Sequence, residues 1–341
     1  MSAANEAAMT SDAVVHPPPG EPILRLRQLV HRYGDLTAVD GIDLDVFRGE
    51  MFGLIGPDGA GKTTTLRLAL GLLRPNEGSV TTCGLDPVGD HRELTQRIGY
   101  LSQRFSLYGD LTVDENVAFF ARVHGVSGWK ERRDELLEMV RMTPFRKRLA
   151  DRLSGGMKQK LALTCTLIHT PELLVLDEPT TGVDPVSRRD FWLLLARLQQ
   201  GGLTLVMTTP YLDEAERCQR VALMHEGKLL AVEDPSTLRA NFPQAVVELV
   251  ARPRRSAEAL LRNDAGVTYV EAFGERVRAF LPRLPGEPVE NETERLVRSL
   301  EAAGIEVTGT RAVRPSLEDV FVAKISEIEQ TGTTPVQEES T

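Results

Sequence analysis

The chain has 341 residues, 41% of them hydrophobic, with a net charge of −9 and a pI of about 5.4. That apolar share supports a real core in one large domain or two smaller ones, and the acidic balance excludes a whole-chain basic field of the kind that holds nucleic acid. The three cysteines, Cys83, Cys165 and Cys218, lie far apart with no C-x-x-C pair, and the six histidines show no ligand spacing, so a disulfide framework or a zinc site is not expected.

No apolar stretch approaches the ~18–20 residues needed to cross a bilayer, and the N-terminus lacks a basic region followed by an apolar one. The expectation is a soluble cytoplasmic chain that meets a membrane only through a partner. Residues 1–22, rich in Ala, Ser and Pro, are expected to form a disordered tail. Regular structure is expected to begin with the alternating run Ile23 to Arg27, and Ile42 to Val46 alternates again. Arg48-Gly49-Glu50 turns the chain into Met51 to Ile55, an apolar run that reads as a buried strand.

Directly after that strand stands Gly56-Pro57-Asp58-Gly59-Ala60-Gly61-Lys62-Thr63, which fits G-x-x-x-x-G-K-T. Leu66, Leu68, Ala69, Leu70, Leu72 and Leu73 follow at helical spacing. Strand, glycine loop and helix together make a phosphate site. Glycines let successive N–H groups turn inward around an anion, and the helix start adds amides and the positive end of its dipole. Lys62 can reach the β- and γ-phosphates, Thr63 can hold Mg²⁺, and Thr64 begins the helix beside them. A nucleoside triphosphate, rather than a dinucleotide, is the expected ligand.

Beyond the break at Arg74 to Gly78, short strands are expected at Ser79–Cys83 and at Arg97–Gln103. The helical spacing of Val113, Val117, Phe120 and Ala121, and of Leu136, Leu137, Val140 and Arg141, marks an inserted helical subdomain at about 104–152. An apolar helix runs on to Ile168 after Leu153-Ser154-Gly155-Gly156-Met157-Lys158-Gln159-Lys160. The strand Leu173 to Leu176 ends in Asp177 and Glu178. Asp177 suits the surroundings of Mg²⁺ beside Thr63, and Glu178 suits polarising a water for attack on the γ-phosphate. A helix at Phe191–Leu198 and strands at Leu203–Met207 and Val221–Met224 complete the pattern of a parallel α/β sheet. From 242 the order changes to βαββαβ, a ferredoxin-like accessory domain over 242–325, with a last helix from Ser316 to about Ile328. A polar tail is expected at 326–341.

Leu153-Ser154-Gly155-Gly156 needs more than a single P-loop fold to explain it. It resembles the signature motif of ATP-binding cassette (ABC) proteins, and with the P-loop and Leu173–Glu178 in this order the resemblance covers about residues 23–240. The resemblance implies a P-loop cassette fold over 23–241, ATP and Mg²⁺ as ligands, and a second cassette, identical or different, docked head to tail. Ser154, Gly155 and Gly156 would then meet the phosphates held by the other P-loop. Within the same resemblance Tyr33 matches the aromatic residue that stacks on adenine. Gln103 matches the glutamine that contacts Mg²⁺ or the lytic water and faces the membrane partner. Asp184, in Thr181-Gly182-Val183-Asp184, matches the loop that couples the two sites.

The C-terminal segment ending in Pro315-Ser316-Leu317-Glu318-Asp319-Val320-Phe321 is similar to ATPase subunits of type-2 ABC exporters, the daunorubicin-resistance class among them. The wording of the P-loop and signature resembles that of the N-terminal cassette of YbhF-like proteins. This implies a polytopic permease of the ABC-2 type as partner and a place at the inner face of the membrane. Two departures stand out. Pro210 occupies the position where the family pattern has a histidine at the γ-phosphate, and Asp58 stands where Asn is commoner. Proline offers no donor, so binding should survive while hydrolysis is weakened. Two alternatives follow: a regulatory subunit of low turnover paired with a competent cassette, or an ABC ATPase outside transport.

Overall fold

The computed structural model describes residues 20–103, 107–283 and 289–331. Most of the two expected tails, and residues 104–106 of the expected helical subdomain, lie outside these ranges. Residues 326–331 lie inside and continue a helix.

β1 (Pro22–Tyr33) and β2 (Leu36–Phe47) form a long antiparallel hairpin. After β3 (Met51–Ile55) and α1 (Lys62–Ala69), β4 (Glu77–Thr82) returns to the other edge of β1, giving the order β2-β1-β4. This antiparallel sheet stands beside the expected parallel one. In β1, Leu24 and Leu26 are buried while Arg25 between them is exposed. Such alternation suits an antiparallel sheet with one face on the core and one in water.

The chain continues through α2 (His91–Arg97), β5 (Ile98–Leu101), α3 (Val113–Val123) and α4 (Trp129–Met139). Next come α5 (Gly155–Leu167), β6 (Leu173–Asp177), α6 (Pro185–Gln200) and β7 (Thr204–Thr209). Then follow α7 (Leu212–Ala215), β8 (Arg220–His225), β9 (Lys228–Glu233) and α8 (Pro235–Ala240). Six strands form the second sheet in the order β5-β6-β7-β3-β8-β9, parallel except where β9 runs back along β8. Every residue of β3, β6 and β7 is buried. These three central strands are covered on both faces, as in a parallel sheet flanked by helices. α2, α7, α8 and β9 were not anticipated: they are short, and β9 is a half-buried edge strand with weak periodicity.

The helical segment is pinned at its start. Thr112 and Glu115 cap α3 reciprocally, Glu115 N–H donating to Thr112 Oγ1 (3.3 Å) and Thr112 N–H to Glu115 Oε2 (2.8 Å). Buried Asn116 donates to the carbonyls of Tyr108, Leu111 and Thr112, which fixes the turn over residues 108–112.

β10 (Gln244–Arg252), α9 (Arg254–Arg262), β11 (Tyr269–Phe273), β12 (Arg276–Pro282), α10 (Val289–Ala302) and β13 (Glu306–Val313) build the C-terminal sheet. Its strand order β11-β12-β10-β13 is antiparallel throughout, the ferredoxin-like arrangement. Its own core joins Val247, Leu249, Val277 and Ala279 to Leu261, Leu296 and Leu300. α11 (Leu317–Thr331) then packs against α7 and α8. Leu317, Val320 and Phe321, with Val246 and Phe280 of the C-terminal sheet, join the apolar cluster of the cassette's helical layer. Arg278 grips Asp319 of α11 with both terminal guanidinium nitrogens, at 2.9 and 2.8 Å.

Candidate nucleotide site

β3 runs straight into the glycine loop, and the loop into α1. Gly61 is the N-cap residue, at φ 103°, and a Cβ there would stand 2.2 Å from the Ala38 carbonyl oxygen. A Cβ on Gly56 would stand 2.1 Å from the carbonyl oxygen of Met224. The loop therefore closes only with glycine at these two places, pressed between the start of β2 and the end of β8. Pro57, Asp58 and Gly59 form its exposed crest, and Ala60 is buried beneath. Thr64 is half-buried on the first turn of α1.

Lys62 is buried, with 4% of its surface exposed. Its ammonium donates to the carbonyls of Gly56 (2.8 Å) and Pro57 (2.9 Å) and lies 3.6 Å from Glu178 Oε1. Such a cation is held ready at the loop, since an unpaired buried ammonium would be costly. Thr63 Oγ1 donates to Asp177 Oδ1 at 3.0 Å. Tyr100 Oη donates to the other carboxylate oxygen at 3.5 Å; burial, and then the charge of Asp177, push the phenol above its ordinary pKa.

The parallel order of the sheet explains this convergence. β6 and β3 are separated only by β7, and all three end at the same edge. Ligands of open α/β sheets gather outside those carboxyl ends. Glu178 follows β6 with φ 47°, a left-handed conformation unusual for a side-chain-bearing residue. Its N–H donates to Thr208 Oγ1 (3.0 Å), and its Oε2 accepts from Gln103 Nε2 (2.9 Å) and Thr181 Oγ1 (3.3 Å). The structure thus brings together five residues singled out in the sequence: Lys62, Thr63, Gln103, Asp177 and Glu178.

Tyr33, Ser154, Gly155, Gly156 and Asp184 lie elsewhere. Tyr33 ends β1, is 45% exposed and packs edge-on to His31 at 4.7 Å. It pairs with Leu36 at the hairpin tip, two residues from the Ala38 that flanks Gly61, so the tip sits on the side of the glycine loop. Ser154 caps α5, its Oγ accepting from Met157 N–H at 3.4 Å; Ser154 and Gly155 are exposed. Gly156 is buried where a Cβ would meet Ser187 Oγ at 2.4 Å. Asp184 caps α6 by accepting from Ser187 N–H at 2.9 Å, a bond that holds its carboxyl below the ordinary range. Gly156 and Asp184 are therefore neighbours. Among the described residues, no hydrogen bond or ion pair ties Ser154, Gly155 or Gly156 to the glycine loop.

Pro210 follows β7 directly. The loop it begins is anchored by buried Glu214, which accepts from Thr180 Oγ1 (2.5 Å), Thr209 Oγ1 (2.7 Å) and Trp192 Nε1 (3.4 Å). His225 faces Phe321 of α11, with ring centres 6.3 Å apart. Sequence reasoning missed Thr208 and Glu214. The one available signal was the hydroxyl pair Thr208-Thr209 closing an otherwise apolar strand.

These residues fit a nucleoside triphosphate with a hard divalent cation. The amides of the loop and the Lys62 ammonium suit phosphates, and Thr63 with Asp177 offers oxygen donors only. Among the described residues no group of three or more His, Cys, Asp or Glu could hold a metal alone.

Comparison with known proteins agrees. The family model described as ABC transporter matches residues 39–181. The probable multidrug ABC transporter ATP-binding protein YbhF of Escherichia coli is 42% identical over 225 residues, 65% of this chain and 39% of that protein. The chain thus spans about two-fifths of that relative. The daunorubicin resistance ATP-binding protein DrrA3 of Streptomyces coeruleorubidus is 37% identical over 300 residues, 85% of this chain and 92% of that protein. Nod factor export ATP-binding protein I of Burkholderia pseudomallei is 41% identical over 227 residues, 65% of this chain and 75% of that protein. A solved ATP-binding subunit of an ABC transporter superposes with a TM-score of 0.59 at 28% identity, covering 64% of this chain and 93% of that one. The chain belongs to the ABC transporter family, as one of its ATP-binding subunits.

Proposed function

We propose that the chain binds and hydrolyses ATP to drive export through a separate polytopic permease of the ABC-2 type, working as one of a pair of cassettes. The observation that carries this reading is the convergence of Lys62, Thr63, Gln103, Asp177 and Glu178 at one sheet edge. The loop Gly56, Pro57, Asp58, Gly59, Ala60 and Gly61, with Lys62, Thr63 and Thr64, cradles the phosphates. Thr63 and Gln103 would hold Mg²⁺, with Asp177 behind them. The bound cation would neutralise charge on the phosphates. Glu178 would accept a hydrogen bond from a water aimed at the γ-phosphate and take its proton on attack, and Gln103 orients that carboxylate. Tyr33, exposed at the hairpin tip, stacks on the adenine.

Ser154, Gly155 and Gly156 serve the ATP of the partner cassette, and Asp184 links that contact to α6. Among the described residues no helix is long and apolar enough to cross a membrane. Relatives named for multidrug transport, daunorubicin resistance and Nod factor export support export as the direction of transport. Pro210 favours a second reading, a subunit of low turnover beside a competent cassette. ATPase assays of the chain alone and reconstituted with the permease test both. Stimulation by the permease is expected; ATP binding without turnover in the reconstituted complex would select the second reading, and no ATP binding would overturn both.

A further inference from the structure

Thr208 occupies the hub of the acid cluster and has no part in the roles above. It is fully buried at the end of β7, the strand that separates β3 from β6. Its hydroxyl has one proton and two lone pairs. The proton goes to Asp177 Oδ1 at 2.7 Å, shorter than the 3.0 Å bond that Thr63 gives the same oxygen. One lone pair takes the N–H of Glu178 at 3.0 Å. The carbonyl of Thr208 takes that same N–H at 3.2 Å. One side chain therefore ties the carboxylate that backs the cation site to the backbone of the acid that faces the water.

The second tie falls on a strained residue. Glu178 sits at φ 47°, where an L side chain is held only if its surroundings fix it. The left-handed turn aims its carboxylate back toward Lys62, 3.6 Å away, and toward Gln103. Without the Thr208 hydroxyl, the peptide between Asp177 and Glu178 keeps only the ladder bond to the Thr208 carbonyl. Both acids then gain freedom at once.

We propose that Thr208 is a positioning residue for hydrolysis, its hydroxyl setting Asp177 and Glu178 jointly in register with Thr63. This rests on the ATP-site reading above. Groups that orient a metal-holding carboxylate are worth roughly 10–100-fold in activity or metal affinity. Nucleotide affinity without metal depends on the loop amides and Lys62, which Thr208 does not touch.

Thr208→Val removes the hydroxyl and keeps the shape. Thr208→Ser keeps the hydroxyl. Full-length wild type and both variants would be compared by titration with a fluorescent ATP analogue, in EDTA and in Mg²⁺, and by ATPase rate against Mg²⁺ concentration. The valine variant is expected to bind the analogue normally in EDTA and to lose the extra affinity that Mg²⁺ gives. Its kcat should fall about tenfold or more, with half-saturation shifted to higher Mg²⁺. Serine should restore most of both. If the valine chain fails to fold, Thr208→Ala in the same assays takes its place. A valine variant with wild-type Mg²⁺ dependence and kcat overturns the proposal, as does equal loss in valine and serine, which would mark a packing role. A wild type that binds no analogue would overturn the ATP-site reading and this proposal with it, so the two failures are distinguishable.

Discussion

Two glycine-containing helix starts, Gly56–Thr63 before α1 and Ser154–Gly156 before α5, look alike in sequence and differ in surroundings. At the first, the side chains that matter are buried or half-buried and fully engaged: Lys62 with two carbonyls and Glu178, Thr63 with Asp177. At the second, Ser154 and Gly155 are exposed, and the Ser154 hydroxyl makes a single long bond to its own helix, 3.4 Å. One is a cluster of engaged side chains, and the other a cap whose Ser154 and Gly155 face solvent. A helix start with free amides and a glycine-bared surface is ready for an anion from outside. The contrast supports a site completed only when two cassettes meet.

The largest test of the contrast is Glu178→Gln. It leaves the loop intact and removes the base, so turnover should fall by about 10²–10⁴. Loss of the carboxylate 3.6 Å from Lys62 also removes a competitor of the γ-phosphate, so ATP should bind somewhat tighter. The expected species in light scattering with ATP is a cassette dimer, free or on the permease. Monomer under both conditions would break the idea that Ser154–Gly156 waits for a partner.

Lys62→Ala attacks the engaged cluster itself. Removal of its one buried cation should weaken equilibrium binding of ATP about 100-fold, the scale of a charge-assisted bond or two. Unchanged binding would mean that this helix start is no more a phosphate site than the other.

Pro210→His puts back a donor that the family pattern carries. A single positioned donor is typically worth roughly 10²–10³ in rate, so a gain up to about 100-fold is expected in single-turnover assays of the assembled complex. The loop tolerates the change if the Thr209–Glu214 and Thr180–Glu214 bonds hold it in place. A rate unchanged or lowered would show that another group already does the work.

Ser154→Ala should be the mildest. It removes a weak cap and one donor to a partner's phosphate, so ATP binding by the isolated chain should not change. Turnover of the assembled pair should fall, by about tenfold or less, the scale of one hydrogen bond. An effect on binding by the isolated chain would erase the distinction between the two helix starts.

Much of this was legible in the residues themselves. A fixed-spacing loop such as Gly56–Thr63 acts through its own backbone, so local sequence suffices to recognise it. Asp177 and Glu178 were equally visible because the apolar strand Leu173–Leu176 must be buried and must end at an edge. The βαββαβ order at the C-terminus came through for the same reason, from local periodicity and turns. What local sequence does not carry is which strands become neighbours. The hairpin of β1 and β2 has alternation but no mark of belonging to a sheet apart from β3. Thr208 reads as an ordinary strand residue until β7 is placed between β3 and β6, some 30 residues from Asp177 in the chain and 2.7 Å from it in space. Glu214 likewise reads as a surface acid in Leu212-Asp213-Glu214, yet it is buried under three donors from three separate segments. Local backbone chemistry was settled by the sequence. The joining of distant polar groups at one sheet edge was decided by the tertiary structure, since a buried hydroxyl or carboxylate takes its meaning from whichever partner the packing brings.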